Sequence, residues 1–91
     1  MNVSLQIPRI LARYVDGQME LEVPEGTLAE LLNHLEQHHP SLFANLCDET
    51  GALRKHIHLF INDQLVTAPR SHPTAVSNGD VVAVFQAVSG G

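Results

Sequence analysis

Ninety-one residues, 44% of them hydrophobic, suit one core and exclude a two-domain chain. Ten acidic residues against five basic ones give a formal charge of −5, which argues against a nucleic-acid footprint; Arg9, Arg13, Arg54, Lys55 and Arg70 are mostly scattered, and Arg54-Lys55-His56 reads as a solvated lead-in to a strand. The single cysteine, Cys47, excludes an intrachain disulfide and a Cys-x-x-Cys redox pair, and reads as a small half-buried apolar filler.

The opening stretch MNVSLQIPRI lacks a basic leader with a continuous apolar run, and no segment approaches the length of a membrane span. A soluble, cytoplasmic protein without a membrane partner is therefore expected. Val3, Leu5 and Ile7 alternate with Asn2, Ser4 and Gln6, which predicts a strand with one buried face, limited by Pro8. RILARY is read as a connection into the Asp16-Gly17 turn, and Met19, Leu21 and Val23 then alternate with Gln18, Glu20 and Glu22 as a second strand, antiparallel to the first. Glu20 and Glu22 fall on its solvent side.

Thr27 followed by Glu30 is a capping-box pattern, so a helix begins near Leu28. Leu28, Leu31, Leu32 and Leu35 form its apolar stripe, and His38-His39-Pro40 closes it. SLFANLC suits a short helix burying Leu42, Phe43 and Leu46, and DETGAL is a loop built on Gly51. HIHLFIND restores alternation, with Ile57, Leu59 and Ile61 on one face and His58 and Phe60 on the other; Asn62-Asp63 turns the chain into the short strand Gln64-Leu65-Val66. TAPRSHPTAVSNG has no period and reads as a surface loop, with Asn78-Gly79 turning into a last strand from about Val81. This order gives an α+β class: a mixed four- to five-stranded sheet with one main helix on one face.

In the last strand Val82, Val84, Gln86 and Val88 share one face, and Val81, Ala83 and Phe85 the other. With the valines inward, Phe85 points outward beside Phe60 and Leu65, an aromatic-aliphatic cluster of the kind that marks a partner surface unless local loops cover it. His56 and His58 lie two apart, and His34, His38, His39 and His72 add imidazoles, but three or four convergent metal ligands do not follow from that spacing. There is no Gly-x-Ser-x-Gly elbow and no glycine-rich phosphate loop, so no enzyme active site is expected. What remains is the end of VFQAVSGG. Two glycines there are a frayed terminus or a slender segment to be threaded elsewhere, and beyond Val88 the chain can extend roughly 10 Å, at about 3.3 to 3.6 Å per residue.

The strand-strand-helix-strand-strand-strand order, the SNGD turn and the final AVSGG resemble the ubiquitin-like sulfur carriers over essentially the whole chain. That family includes the small subunit of molybdopterin synthase and the thiamine-pathway carrier. HLFIND and FQAVSGG are most similar to its cysteine-biosynthesis branch.

The resemblance implies a β-grasp domain over residues 1–88 and a flexible diglycine tail over 89–91. It implies that an ATP-dependent activating enzyme, using ATP and magnesium, adenylates the carboxylate of Gly91, and that a sulfur donor then displaces AMP to leave a thiocarboxylate for a sulfur-accepting synthase. Gly90 is the slender neighbour, no cofactor is intrinsic, and the chain is a cosubstrate rather than a catalyst. Molybdopterin-type carriers dock through apolar sheet residues beside the tail, where Phe85 and Leu65 stand here; Phe60 is added from the strand faces. Gln86-Ala87 replaces the proline-rich step of the molybdopterin members, which leans toward cysteine or a specialised metabolite. Two other roles fit the same chain: a ubiquitin-like modifier joined through Gly91 to lysines, and a non-covalent module using Phe60, Leu65 and Phe85.

Overall fold

The period-two stretches become strands whose apolar side chains share one core. The computed structural model describes residues 2–71 and 73–87. Strand β1 (Asn2–Gln6) turns Val3 and Leu5 inward, and β2 (Glu20–Pro24) pairs with it antiparallel, Val3 opposite Val23 and Leu5 opposite Leu21. Met19, assigned inward by the alternation, is instead 55% exposed. It lies one residue ahead of the ladder, where only its carbonyl is held, by the Ile7 N–H at 2.9 Å.

RILARY is more than a connection. Helix α1 (Arg9–Ala12) and a 3-10 turn at Arg13–Val15 bury Leu11, Ala12 and Val15 before the chain reverses through Asp16 and Gly17, both at positive φ. Four residues are too few for helical periodicity to show in a sequence.

Helix α2 (Leu28–His38) starts at the capping box: the Glu30 N–H donates to Thr27 Oγ1 at 3.1 Å, and the Thr27 N–H donates to Glu30 Oε1 at 2.8 Å. A cap of this kind is worth about 1 kcal/mol, whereas burying a leucine is worth about 1.5 to 3 kcal/mol. With Leu28, Leu31, Leu32 and Leu35 all buried, packing holds the helix and the cap sets its first residue. Pro40 opens helix α3 (Pro40–Leu46) at the position where its missing N–H costs nothing, and Leu42 and Leu46 are buried while Phe43 packs partly buried against the core. Cys47, expected half-buried, is enclosed at 1% exposure, and that burial pushes its thiol pKa up, away from thiolate chemistry.

Strands β3 (Ile57–Ile61) and β4 (Gln64–Val66) are joined by Asn62 and Asp63 at φ 45° and 75°, the pair of positive values a two-residue type I′ hairpin requires. Strand β5 (Val81–Gln86) runs between β1, parallel, and β3, antiparallel, so the sheet order is β2-β1-β5-β3-β4. The 67–80 stretch, read as a surface loop, contains a 3-10 turn at Pro69–Ser71 and a buried anchor: Val76 exchanges two backbone hydrogen bonds with Gly26, at 2.8 and 3.1 Å. A lone valine in a polar stretch has no period to announce it.

The class is α+β, a mixed five-stranded sheet with its helices packed on one face and the other face left open. No helix among the described residues is long and apolar enough to cross a membrane. Val88, Ser89, Gly90, Gly91 and His72 lie outside the described residues, and with them the 89–91 tail expectation.

Candidate functional site

Period two along three neighbouring strands assembles the open face. With Val82 and Val84 buried, Ala83 and Phe85 of β5 must point away from the helices. Register then aligns their neighbours: Phe60 stands opposite Ala83 on one side and Leu65 on the other. The Phe60 and Phe85 rings meet edge to face, centroids 5.3 Å apart and planes at 89°. That geometry sets the positive edge of one ring on the negative face of the other and is worth about 0.5 to 1.5 kcal/mol beyond burial. Phe85 remains 53% exposed and Leu65 52% exposed, with Phe60 partly buried between them.

Gln6, Phe60, Val81, Ala83 and Phe85 border a hollow of about 560 Å³ on this face. Its far end is closed by a polar knot. The Asn62 side-chain amide donates to Asp80 Oδ1 at 3.0 Å, the Val81 N–H donates to Asn62 Oδ1 at 2.9 Å, and the Ser77 N–H donates to Asp80 Oδ2 at 2.8 Å. Those donors, Ser77 foremost and Asn62 next, hold the Asp80 carboxyl below the usual carboxylate range.

At the other end β5 runs out at Gln86, and the Ala87 N–H donates to the His56 carbonyl at 2.7 Å. Residues 90 and 91, on which the sequence reading puts the chemistry, lie outside the described residues. The structure thus brings Phe60, Leu65 and Phe85 onto one face beside the strand that leads to them.

Among the described residues no group of three or more His, Cys, Asp or Glu side chains is placed to hold a metal ion. His34 and His38 approach with ring centroids 4.4 Å apart, and partial burial, then the charges of His38 and His39, push the His34 pKa down.

The basic residues, scattered in sequence, do not stay scattered in space. Arg13, Arg54 and His56 line one pocket with Tyr14 and Gln86 at the end of β5. No sequence motif announces it, because Arg13 and Arg54 lie far apart in the chain and are brought together by the sheet and by α3, which packs on the Arg13–Val15 turn and accepts from Arg54.

The profile of the ThiS family matches residues 6–91. The chain is 31% identical over 93 aligned positions to the sulfur carrier protein CysO of Mycobacterium tuberculosis, with 100% of both chains covered. Among solved structures it is similar to a chain of the Amycolatopsis orientalis BexX/CysO complex, at TM-score 0.82 and 28% identity, covering 98% of this chain and 99% of that one. It is also similar to SAMP1 of Haloferax volcanii, at TM-score 0.78 and 26% identity over 100% of both chains. These neighbours share the five-stranded β-grasp arrangement described above.

Proposed function

The chain belongs to the ThiS family of ubiquitin-like proteins, and from that premise we propose that it is a sulfur carrier working through the carboxylate of Gly91. The observation that carries this reading is the full-length match to the CysO sulfur carrier, end to end on both chains. A terminal carboxylate has a pKa near 3.3 to 3.7, so at neutral pH it is an anion and a poor electrophile. Activation comes first. A carboxylate oxygen attacks the α-phosphate of ATP, pyrophosphate leaves, and an acyl-adenylate forms; a sulfide equivalent then attacks the acyl carbon and AMP departs, leaving a thiocarboxylate.

ATP and magnesium belong to the activating enzyme in this reading, and the chain itself is a protein cosubstrate with no intrinsic cofactor. Its contribution is shape: Gly90 and Gly91 without side chains, and the Phe60, Leu65 and Phe85 face as the surface that seats the enzyme. The BexX/CysO complex supports a partner protein for carriers of this kind. Likeness to CysO, together with Gln86-Ala87 ahead of the tail, favours cysteine or a specialised sulfur metabolite over molybdopterin.

The test is intact mass. Incubated with ATP, magnesium, its activating enzyme and a sulfide source, the chain gains the mass of one oxygen-to-sulfur exchange, confined to the C-terminal peptide; no adenylate and no exchange sink the proposal. A second reading is favoured by the SAMP1 likeness, since that protein is a small archaeal modifier. High-mass conjugates that survive thiol and hydroxylamine and vanish on deletion of Gly91 would establish it. Genes for an activating enzyme and a synthase beside this one would identify the pathway.

A further inference from the structure

Four of the chain's five Lys and Arg residues gather at one end of the sheet. β1 and β5 are parallel, Gln6 beside Ala83, so Arg9 and Arg13, which follow β1, lie at the end where β5 finishes. β3 starts at Ile57 opposite Gln86, so Arg54, Lys55 and His56, which precede it, lie there too. Between these groups is a pocket of about 290 Å³ containing Arg13, Tyr14, Arg54 and His56, with the exposed Ile10 at its rim and no Asp or Glu in its lining.

The donors in it are only partly used. Arg13 Nη2 donates to Tyr14 Oη at 2.8 Å, and its guanidinium lies over the Tyr14 ring, 5.0 Å from the centroid. Arg54 donates through Nε to the Ala44 carbonyl at 3.1 Å, which fixes the fork and leaves both Nη groups without a protein acceptor among the described residues. Neither arginine is neutralised within the pocket, in a chain whose net charge is −5. The Arg13 guanidinium, held by a neutral phenol, is oriented with no carboxylate in the pocket to answer its charge, whereas Arg54 also feels Asp48 in the neighbouring hollow; the planar fork of each matches a carboxylate.

We propose that this pocket receives carboxylate side chains from an acidic segment of the protein that takes up the end of the chain. The proposal rests on the carrier reading for its partner: any protein drawing in residues 88–91 must pass over the ground where β5 ends, and the pocket opens beside Gln86. It supplies the polar, orienting contact that the Phe60–Phe85 face lacks. Charges at the rim of an interface govern approach rate and salt dependence more than final packing.

Tyr14 is the only tyrosine and there is no tryptophan, so intrinsic emission reports on this pocket alone. The full chain is titrated with a short blocked peptide of Asp and Glu, and with its Asn and Gln counterpart, following Tyr14 emission and the amide resonances of Arg54 and His56. A saturable response to the acidic peptide only, fading as ionic strength rises to about 0.15 M, is expected. Arg13→Gln and His56→Gln weaken it by roughly threefold to tenfold each, Arg13→Lys keeps the charge but not the fork and retains only part of it, and Phe85→Ala retains all of it. Equal response to the neutral peptide, or an unchanged response in Arg13→Gln, overturns the proposal. A response seen only after deletion of Gly90 and Gly91 also overturns it, because the pocket would then serve the chain's own end. A chain that is never adenylated yet binds the acidic peptide sinks the carrier reading and leaves the pocket standing. A chain that is adenylated but ignores the peptide does the reverse.

Discussion

On the open face of the sheet, β2 and β1 present Glu20, Glu22, Asn2 and Ser4, whereas β5, β3 and β4 present Ala83, Phe85, Phe60 and Leu65. Both halves follow the same alternation, and their inward sides are equally apolar. Their outward sides differ in whether they satisfy themselves. In the polar half Ser4 Oγ donates to Glu20 at 2.7 Å and the Asn2 amide donates to Glu22 at 3.2 Å. The apolar half holds the Phe60–Phe85 ring contact and leaves about half of Phe85 and of Leu65 in solvent. One face of one sheet thus separates a surface finished for water from a surface that gains by being covered.

The sharpest break of this contrast is Phe85→Glu, which gives the apolar half the chemistry of its neighbour. Association with the activating enzyme, measured by calorimetry, should weaken by about 2 kcal/mol or more, as for a central aromatic anchor, while thermal stability falls by no more than the ring pair's roughly 1 kcal/mol. Unchanged affinity would mean that the exposed rings are not the docking surface.

Gly26→Ala supplies the converse. Gly26 sits at φ 144°, and an added Cβ would lie 2.6 Å from the Glu30 carboxylate that completes the α2 capping box. Strain and a damaged cap should lower unfolding free energy by about 1 to 2 kcal/mol in urea melts, without weakening partner binding in the folded protein. Loss of binding in step with stability would make the Phe85 result a folding effect.

Acid should loosen the apolar half through Asp80. Its folded-state pKa is depressed by the Ser77 and Asn62 donors, so its stabilising contribution is complete above the unfolded value near 3.9 and is lost as pH falls through the folded value. Hydrogen exchange at the Ser77 and Val81 amides should quicken across that window beyond the ordinary pH trend, and in Asp80→Asn the extra step should be absent. The smallest effect belongs to the polar half: Glu20→Ala with Glu22→Ala should leave association unchanged and cost stability only about 0.5 to 1 kcal/mol.

Much of this was legible in the sequence. Alternation at Val3-Leu5, Leu21-Val23, Ile57-Leu59 and Val82-Val84, and the Thr27–Glu30 box, carry their signal within a few neighbouring residues, so strands, main helix and the Phe60–Phe85 face all followed. What stayed hidden depends on partners far along the chain. Val76 is anchored by Gly26, fifty positions earlier, and α1 is too short for a period. Arg13 and Arg54 line one pocket because β5 sets the end of β1 near the start of β3 and α3 packs beside both. A pattern within one segment is readable from that segment; a site composed by topology is not.

The central place of β5 has a mechanical consequence. A pull directed along the axis of this strand would load both of its edges at once. β1 grips one edge and β3 the other, and their ladder hydrogen bonds run across the direction of pull. Load applied beyond Ala87 is shared among those bonds at once instead of parting them singly, so the domain can be tugged by its end and stay folded.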